Sequence, residues 1–187
     1  MTVTNTDTLR LPFITGRSVE MQTVRITIAL LWSLLVSFTT AAAGTFTGTV
    51  VGIADGDTVT VLDAANRQHK VRLSGIDAPE KSQPYGNVSR QHLARLVFDK
   101  DVTVVAYKTD RYGRTVGKVV VNDTDANLEQ IRAGLAWHYK QYEREQDASD
   151  RETYATGEVA ARQSHLGLWR ESEAVPPWEY RRQRRGE

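Results

Sequence analysis

The stretch VVGIADGDTVTVL, residues 50–62, decides the fold, because apolar and β-branched residues stand on both sides of an Asp-Gly pair. Such a pair between two apolar runs predicts a β-hairpin with a type I′ turn, whose central residues need positive φ. The turn explains Asp55 and Gly56. It does not explain Asp57, which stands where the second strand should restart with a β-former. The stretch therefore predicts two paired strands and leaves one carboxylate without a structural reason.

The segments around this hairpin predict a small barrel with helices. Five strands are predicted, over residues 45–51, 58–62, 68–73, 102–107 and 115–121. Three helices are predicted over residues 87–100, 125–134 and 149–165, with N-caps at Asn87, Asp125 and Ser149, the last in a capping box. Five short strands with a helix after the third are typical of a five-stranded Greek-key barrel of the OB type. The predicted class is α+β, mainly β.

The first 43 residues predict an export signal. Met21 and Arg25 form a short positive region, residues 26–38 are apolar, and three alanines end at Ala43. This pattern is typical of a signal peptide, with translation starting at Met21, cleavage after Ala43 and a secreted or periplasmic product. If the signal is cleaved, no stable membrane association is expected. An uncleaved signal anchor is the alternative.

Composition limits what the rest of the chain can do. Beyond residues 1–43 there are 21 basic and 21 acidic residues, which excludes general coating of DNA through a strong positive field. The absence of cysteine from the chain excludes disulfides, thiolate metal sites and a cysteine nucleophile. Residues 44–170 are predicted to form one monomeric domain. Residues 171–187 are predicted to be a solvated, charged tail.

Acidic residues in two predicted loops are candidate ligands for a hard cation. Asp55 and Asp57 lie in the hairpin turn, and Asp77 and Glu80 lie in the loop after the third strand. Carboxylate oxygens from two loops suit Ca²⁺. The alternative, which each loop taken alone favours, is that Asp55-Gly56 only turns the chain and Asp77-Ala78-Pro79 only bends it. An EF-hand starting at Asp55 is excluded, because the motif's central glycine and final glutamate are missing.

Two arginines are candidate phosphate ligands. Arg72 lies in the third predicted strand, and Arg114 lies in the loop before the fifth. A guanidinium carries forked donors that match phosphate oxygens, and beside a metal it would stabilise the charge of a phosphoryl transition state. An ordinary surface arginine is the alternative for each. The four histidines show no metal-ligand spacing, and the chain has no P-loop.

Taken together, ordered segments of the chain resemble the staphylococcal nuclease (thermonuclease) family. A lone DGDT is weak, but DGDT followed by R-x-x-x-x-D-x-P-E and then D-R-Y-G-R is specific. The resemblance implies an OB-type barrel with three helices and a Ca²⁺-dependent phosphodiesterase site. The matching pieces between Gly48 and Trp169 are VGIADGDTVTV, VRLSGIDAPEKSQPYG, KTDRYGRTVGKV, LEQIRAGLAW and SHLGLW.

The resemblance also implies how the calcium would be held. By position, Asp57 and Asp77 would be its carboxylate ligands. Ala78, which stands where the best-known family member has threonine, would serve the metal through its backbone carbonyl. Glu80 would activate or orient the attacking water.

The substrate side of the implied site carries arginine and tyrosine. Arg72 and Arg114 would bind the scissile phosphate, and Tyr112 would contact the substrate; the nucleotide-packing tyrosine is either Tyr139 or Tyr142. The implied activity is hydrolysis of DNA and RNA with low sequence specificity, on single strands or frayed duplex. A non-catalytic OB-fold nucleic-acid-binding module is the alternative. Such a module typically loses the glutamate or an arginine, whereas this chain retains Glu80, Arg72 and Arg114.

Overall fold

The computed structural model describes residues 1, 2 and 44–186, so the predicted signal, with its start at Met21 and its cleavage site, lies outside the described residues. Within the described ranges, no helix is both long and apolar enough to cross a membrane. The strands of residues 44–186 are β1 Gly44–Ile53, β2 Thr58–Asp63, β3 Gln68–Leu73, β4 Ile76–Asp77, β5 Asp101–Thr109, β6 Thr115–Val121, β7 Thr124–Asp125 and β8 Trp137–His138. The α-helices there are α1 Gly86–Val97, α2 Ala126–Arg132, α3 Ala148–Gln163 and α4 Pro177–Arg185, with 3₁₀ segments at Lys140–Glu145 and Gly167–Arg170.

Five long strands close a barrel. Strand β1 pairs antiparallel with both β2 and β5, while β2 pairs with β3 and β5 with β6. The barrel closes through a parallel pairing of β3 with β6. Alternate residues of these strands point inward and form a fully buried apolar core, including Val59, Val61, Val71, Val104 and Val119. The predicted five-stranded OB-type barrel is confirmed.

The β1–β2 hairpin is confirmed, but its predicted turn type is wrong. The connecting loop has four residues, 54–57, and neither Asp55 nor Gly56 has a positive φ. Gly56 is required for a different reason, because a Cβ at this position would overlap the side chains of Ser89 and Ala78. The glycine therefore lets the hairpin loop pack tightly against α1.

The sequence identified one of the three helix caps correctly. Asp125 is the N-cap of α2, and its side chain accepts hydrogen bonds from the backbone N–H groups of Asn127 and Leu128. Asn87 is not a cap, because α1 begins at Gly86 after Tyr85, which has a φ of 65°. The start of α1 is set instead by the preceding loop, where Gly86 N–H donates to the Gln83 carbonyl at 3.0 Å.

The predicted capping box of the third helix is also wrong. Helix α3 begins at Ala148, so Ser149 lies inside its first turn, and the N-cap Asp147 makes no side-chain capping bond. The Ser149 carbonyl accepts a hydrogen bond from the Thr153 hydroxyl at 2.7 Å. The helix forms even so because residues such as Tyr154 and Ala161 bury one of its faces.

The C-terminal segment is not the solvated tail that the sequence predicts. Residues 177–185 form α4, which begins at Pro177, a position where proline's missing N–H costs nothing. Pro177 is buried, and Trp178 packs on Trp137 and Tyr139, with ring centroids 6.4 and 5.4 Å apart. Burial of this aromatic surface outweighs the high charge of the segment and fixes α4 to the domain.

Candidate functional site

Strand pairing brings the two acidic loops together. Strand β2 pairs with β3 so that Thr58 lies opposite Arg72, which places Asp57 beside the end of β3. The Leu73 N–H donates to the Asp57 carbonyl at 2.8 Å. Across the site, the Ala78 N–H donates to Asp57 Oδ2 at 2.8 Å, so the second loop is bonded directly to the first.

Arg72 joins the two aspartates. Its Nη1 forms an ion pair with Asp57 Oδ1, and its Nη2 donates to Asp77 Oδ1 at 2.8 Å. The Asp57 side chain is 4% exposed and that of Asp77 is fully buried. Isolated charges at such depth would be very costly, so the guanidinium is needed to keep two carboxylates there.

Glu80 is linked to the same cluster by Arg181, a residue that the sequence motifs do not include. Arg181 of α4 donates from Nη2 to Asp77 Oδ2 and from Nη1 to Glu80 Oε1, both at 2.8 Å. A longer bond of 3.3 Å runs from Nη1 to Asp77 Oδ1. One sequence signal could have pointed to Arg181. The Pro-Pro-Trp stretch before the C-terminal arginines is apolar within a charged segment, which indicates that the segment packs on the domain.

The two aspartates have opposite pKa shifts. Burial tends to raise the pKa of Asp57, but the Arg72 guanidinium and the Ala78 N–H outweigh it and hold this pKa below its ordinary value. Burial and the neighbouring Asp57 charge raise the pKa of Asp77, and the charges of Arg181 and Arg72 offset this only in part. Although burial disfavours its charged form, Arg72 has a raised pKa because both aspartates stabilise the cation. Asp57 is therefore the more firmly ionised carboxylate of the pair.

Arg114 lies apart from the carboxylates but on the same groove as Arg72. The parallel pairing of β3 with β6 sets Arg72 opposite Val116, and both arginines line an open groove of about 720 Å³. Arg114 is held by Asp110, which accepts from its Nε at 2.8 Å and from its backbone N–H at 3.0 Å. The two predicted phosphate ligands thus face one space, from opposite sides of the barrel's closing seam.

Four tyrosines border this groove, among them Tyr112, Tyr139 and Tyr142. Tyr112 is 68% exposed, and its ring centroid lies 5.4 Å from the Arg114 guanidinium. Tyr139 and Tyr142 both line the groove, with their ring centroids 5.3 Å apart. One face of Tyr139 is stacked on Trp178, whereas Tyr142 is 47% exposed. Tyr142 is therefore the better placed of the two for stacking on a base.

The donor chemistry of the cluster fits calcium, although its oxygens are bound to arginines. Among residues 1, 2 and 44–186, no three His, Asp or Glu side chains are arranged to hold a metal ion as they stand. Asp57 in the hairpin loop and Asp77 in β4 are nevertheless joined by one guanidinium, and Glu80 is linked to Asp77 by another. Buried carboxylate oxygens of this kind are the ligands that Ca²⁺ prefers.

Comparison with known proteins gives consistent matches. A family model described as staphylococcal nuclease homologue matches residues 70–171, the segment that holds Arg72, Asp77, Glu80 and Arg114. An uncharacterized endonuclease of Haemophilus influenzae is 41% identical over 157 residues, which is 82% of this chain and 85% of that relative. A micrococcal nuclease of Shigella flexneri is 42% identical, over 73% of this chain and 81% of its own length. A staphylococcal-like nuclease of Arabidopsis thaliana is 39% identical, over 64% of this chain and 35% of its own length.

Proposed function

The chain belongs to the staphylococcal nuclease homologue family, and on that premise we propose that it is a calcium-dependent nuclease that hydrolyses phosphodiester bonds of DNA and RNA with little sequence preference. The observation that carries the proposal is that Arg72 contacts both Asp57 and Asp77 and also lines one groove with Arg114. It combines oxygen ligands for a hard cation with donors for a phosphate.

Asp57 and Asp77 are the proposed calcium ligands, with the Ala78 backbone carbonyl beside them. Bound there, calcium would polarise a phosphoryl oxygen and neutralise part of its charge. The protein holds the two carboxylates in place beforehand, since Asp57 is fixed by the Ala78 N–H and Thr58 hydroxyl, the latter at 3.0 Å. Preorganised ligands reduce the ordering cost of binding.

Glu80 is the proposed proton acceptor for the attacking water. Its carboxylate borders the cluster through Arg181, yet its side chain is 39% exposed, so water can reach it. A carboxylate in this setting can accept a proton from the water as the water attacks phosphorus. Membership of the family implies that the 5′-oxygen leaves in line with this attack. The negative charge that develops on the phosphoryl oxygens then needs fixed cations nearby.

Arg72 and Arg114 are the proposed cations for that charge. Both are fixed before substrate arrives, Arg72 by two buried aspartates and Arg114 by Asp110. Donors that need no reorganisation during the reaction lower the transition-state energy most. Because a guanidinium stays charged at any physiological pH, this contribution does not titrate.

A single strand or a frayed duplex is the proposed substrate form. The groove is open and lined by Tyr112 and Tyr142, which are 68% and 47% exposed. Basic side chains lie over both rings, so a base would stack where these cations can also contact its phosphate. Aromatic faces bind unpaired bases without regard to sequence, typically by about 1–3 kcal/mol per base. The bases of an intact duplex are already stacked on one another and cannot use these faces.

The proposed place of action is outside the cytoplasm, as a monomer. Support for export comes from the signal pattern of residues 21–43. N-terminal sequencing of the exported protein should begin at Gly44. A chain that keeps residues 21–43 and sediments with membranes would instead be an anchored nuclease.

Cleavage of a labelled single-stranded DNA by the full chain tests the proposal. Wild type should cut with Ca²⁺ and lose activity in EGTA, while Glu80→Gln should cut about 10²–10⁴-fold more slowly. Glu152→Gln is the matched control, because Glu152 is exposed on α3 and loses the same charge. Undiminished cleavage in EGTA would refute the calcium assignment. A wild type that binds the strand without cutting it under any condition would be a binding module.

A further inference from the structure

Arg181 places a cation on one proposed metal ligand, Asp77, and on the proposed proton acceptor, Glu80. Its two terminal nitrogens bond Asp77 Oδ2 and Glu80 Oε1, each at 2.8 Å. Arg72 covers the other side of Asp77, at Oδ1, and also pairs with Asp57. The outer oxygen of Asp77 is thus bound by a guanidinium from the C-terminal helix.

The position of Arg181 is built into the packing of α4. Trp178, one turn earlier, is stacked on Tyr139. The Tyr180 hydroxyl lies 3.0 Å from Ser82 Oγ and donates to the Ser82 carbonyl at 3.1 Å. Before the helix, the Val175 carbonyl accepts from Gln83 Nε2 at 2.5 Å. Helix α4 is therefore anchored to the loop that carries Glu80.

The two arginines differ in their freedom to move. Arg72 comes from a barrel strand, and its side chain is 18% exposed. Arg181 comes from a surface helix, and its side chain is 35% exposed. A long side chain at the rim can swing into water at little cost, whereas displacing Arg72 would remove the ion-pair partner of the buried Asp57. Of the two cations, Arg181 is the one that can leave.

We propose that Arg181 occupies the candidate metal site as a resident cation. A divalent cation must displace Arg181 from Asp77 and Glu80 in order to bind there. The inference rests on the proposed function and adds the residue that sets how much metal the enzyme needs. A dication and a guanidinium on the same carboxylate oxygens repel each other strongly at low dielectric. Only the fraction of molecules with Arg181 displaced is competent to bind, and the apparent metal affinity falls by that fraction.

Calcium titration of the full chain by calorimetry, without nucleic acid, tests this proposal. Arg181→Ala should lower the half-saturating Ca²⁺ concentration by about tenfold, as expected if about one molecule in ten has Arg181 displaced at rest. Arg182→Ala is the matched control, because Arg182 neighbours Arg181 on α4, is exposed and carries the same charge. Its effect should stay within about twofold, since the exposed charge of Arg182 is screened by salt.

A second variant protects the test against a failure of Arg181→Ala to fold. Arg181→Lys keeps the charge but loses the fork that reaches two carboxylates at once, so it should shift the Ca²⁺ midpoint the same way, by a few-fold. Melting curves without metal show which variants are folded. If Arg181→Ala is not folded, the Ca²⁺ midpoint of Arg181→Lys tests the displacement proposal.

The possible outcomes separate this inference from the nuclease proposal. An unchanged or higher Ca²⁺ midpoint in folded Arg181 variants overturns the displacement idea while leaving the calcium site intact. If that result came with weaker binding of single-stranded DNA in EGTA, Arg181 would be a phosphate ligand instead. If neither wild type nor variants bound calcium, the calcium assignment and this inference would both be wrong.

Discussion

Arg72 links stability to the proposed chemistry, because the same guanidinium that would bind a phosphate neutralises two buried aspartates. A buried ion pair adds little compared with an apolar replacement, but removing one partner leaves an uncompensated charge. Arg114 is similar in residue type and proposed role, yet its partner Asp110 is 16% exposed. Removal of the two arginines should therefore have unequal costs.

We expect Arg72→Ala to lower the free energy of unfolding by about 3–5 kcal/mol. Arg114→Ala should cost only up to about 1 kcal/mol, because water can solvate the remaining Asp110. Urea unfolding of both variants followed by tryptophan fluorescence measures the difference. Equal losses would mean that Asp57 finds another counter-ion. Any loss of activity in Arg72→Ala must be interpreted alongside its loss of stability.

Sequence motifs identify those site residues whose neighbours are determined by strand pairing. Asp57, Arg72, Asp77 and Glu80 could be selected because their motifs follow one another in a specific order, and the pairing of β2 with β3 brings Asp57 beside Arg72. Arg181 could not, because its contact with Asp77 spans 104 positions and depends on how α4 docks. No local pattern determines that docking.

Helix ends show what local sequence can and cannot determine. Asp125 and Asn87 are equally good cap residues in the sequence, yet only Asp125 caps a helix. Its carboxylate also accepts a hydrogen bond from the Tyr154 hydroxyl at 2.8 Å, which ties α2 to α3. Tertiary contacts thus reinforce one cap, while the loop before α1 overrides the other.

Substitution of the two cap candidates should separate them. We expect Asp125→Ala to lower the free energy of unfolding by about 1–2 kcal/mol, through loss of two N–H bonds at the start of α2. Asn87→Ala should change it by less than about 0.5 kcal/mol, since Asn87 is exposed within the first turn of α1. Thermal or urea unfolding checks both. A comparable loss at Asn87 would show that this side chain caps α1 in solution.

Among the elements, strands were predicted better than the connections between them. Alternation of apolar residues marks β2 and β3 because one face of each is buried in the barrel. The type I′ turn was wrong because Gly56 is required by its contact with Ser89, and not by its own φ. A glycine in a sequence does not show which of these reasons applies.

Neither residues 44–187 nor the groove carries a large positive excess. Outside residues 1–43 the chain has equal numbers of basic and acidic residues. The positive groups of the groove are few, and two of them, Arg114 and Lys108, are paired with Asp110 and Glu145. Substrate binding should therefore depend on a small number of phosphate contacts and not on a broad positive field.

We expect binding of single-stranded DNA to weaken only moderately with salt. With two to four phosphate contacts, the slope of log K against log salt should be about −2, because each contact on a single strand contributes about −0.7. Fluorescence anisotropy of Glu80→Gln with a labelled strand measures it without cleavage. Arg114→Ala in that background should make the slope shallower by about 0.7. A slope steeper than about −5 would show that a wider basic surface takes part.

The parallel pairing of β3 with β6 also bears on how the protein folds. It joins residues 71–73 to residues 115–117, whereas the hairpin pairings β1–β2, β2–β3 and β5–β6 join strands that follow one another in the chain. Hairpins close within microseconds, but a non-local pairing must first pay the entropy of a long loop. Arg72 and Arg114 share a groove only once this seam has formed. A newly made chain thus has no phosphate-binding groove until its barrel closes, and topology sets the length of that delay.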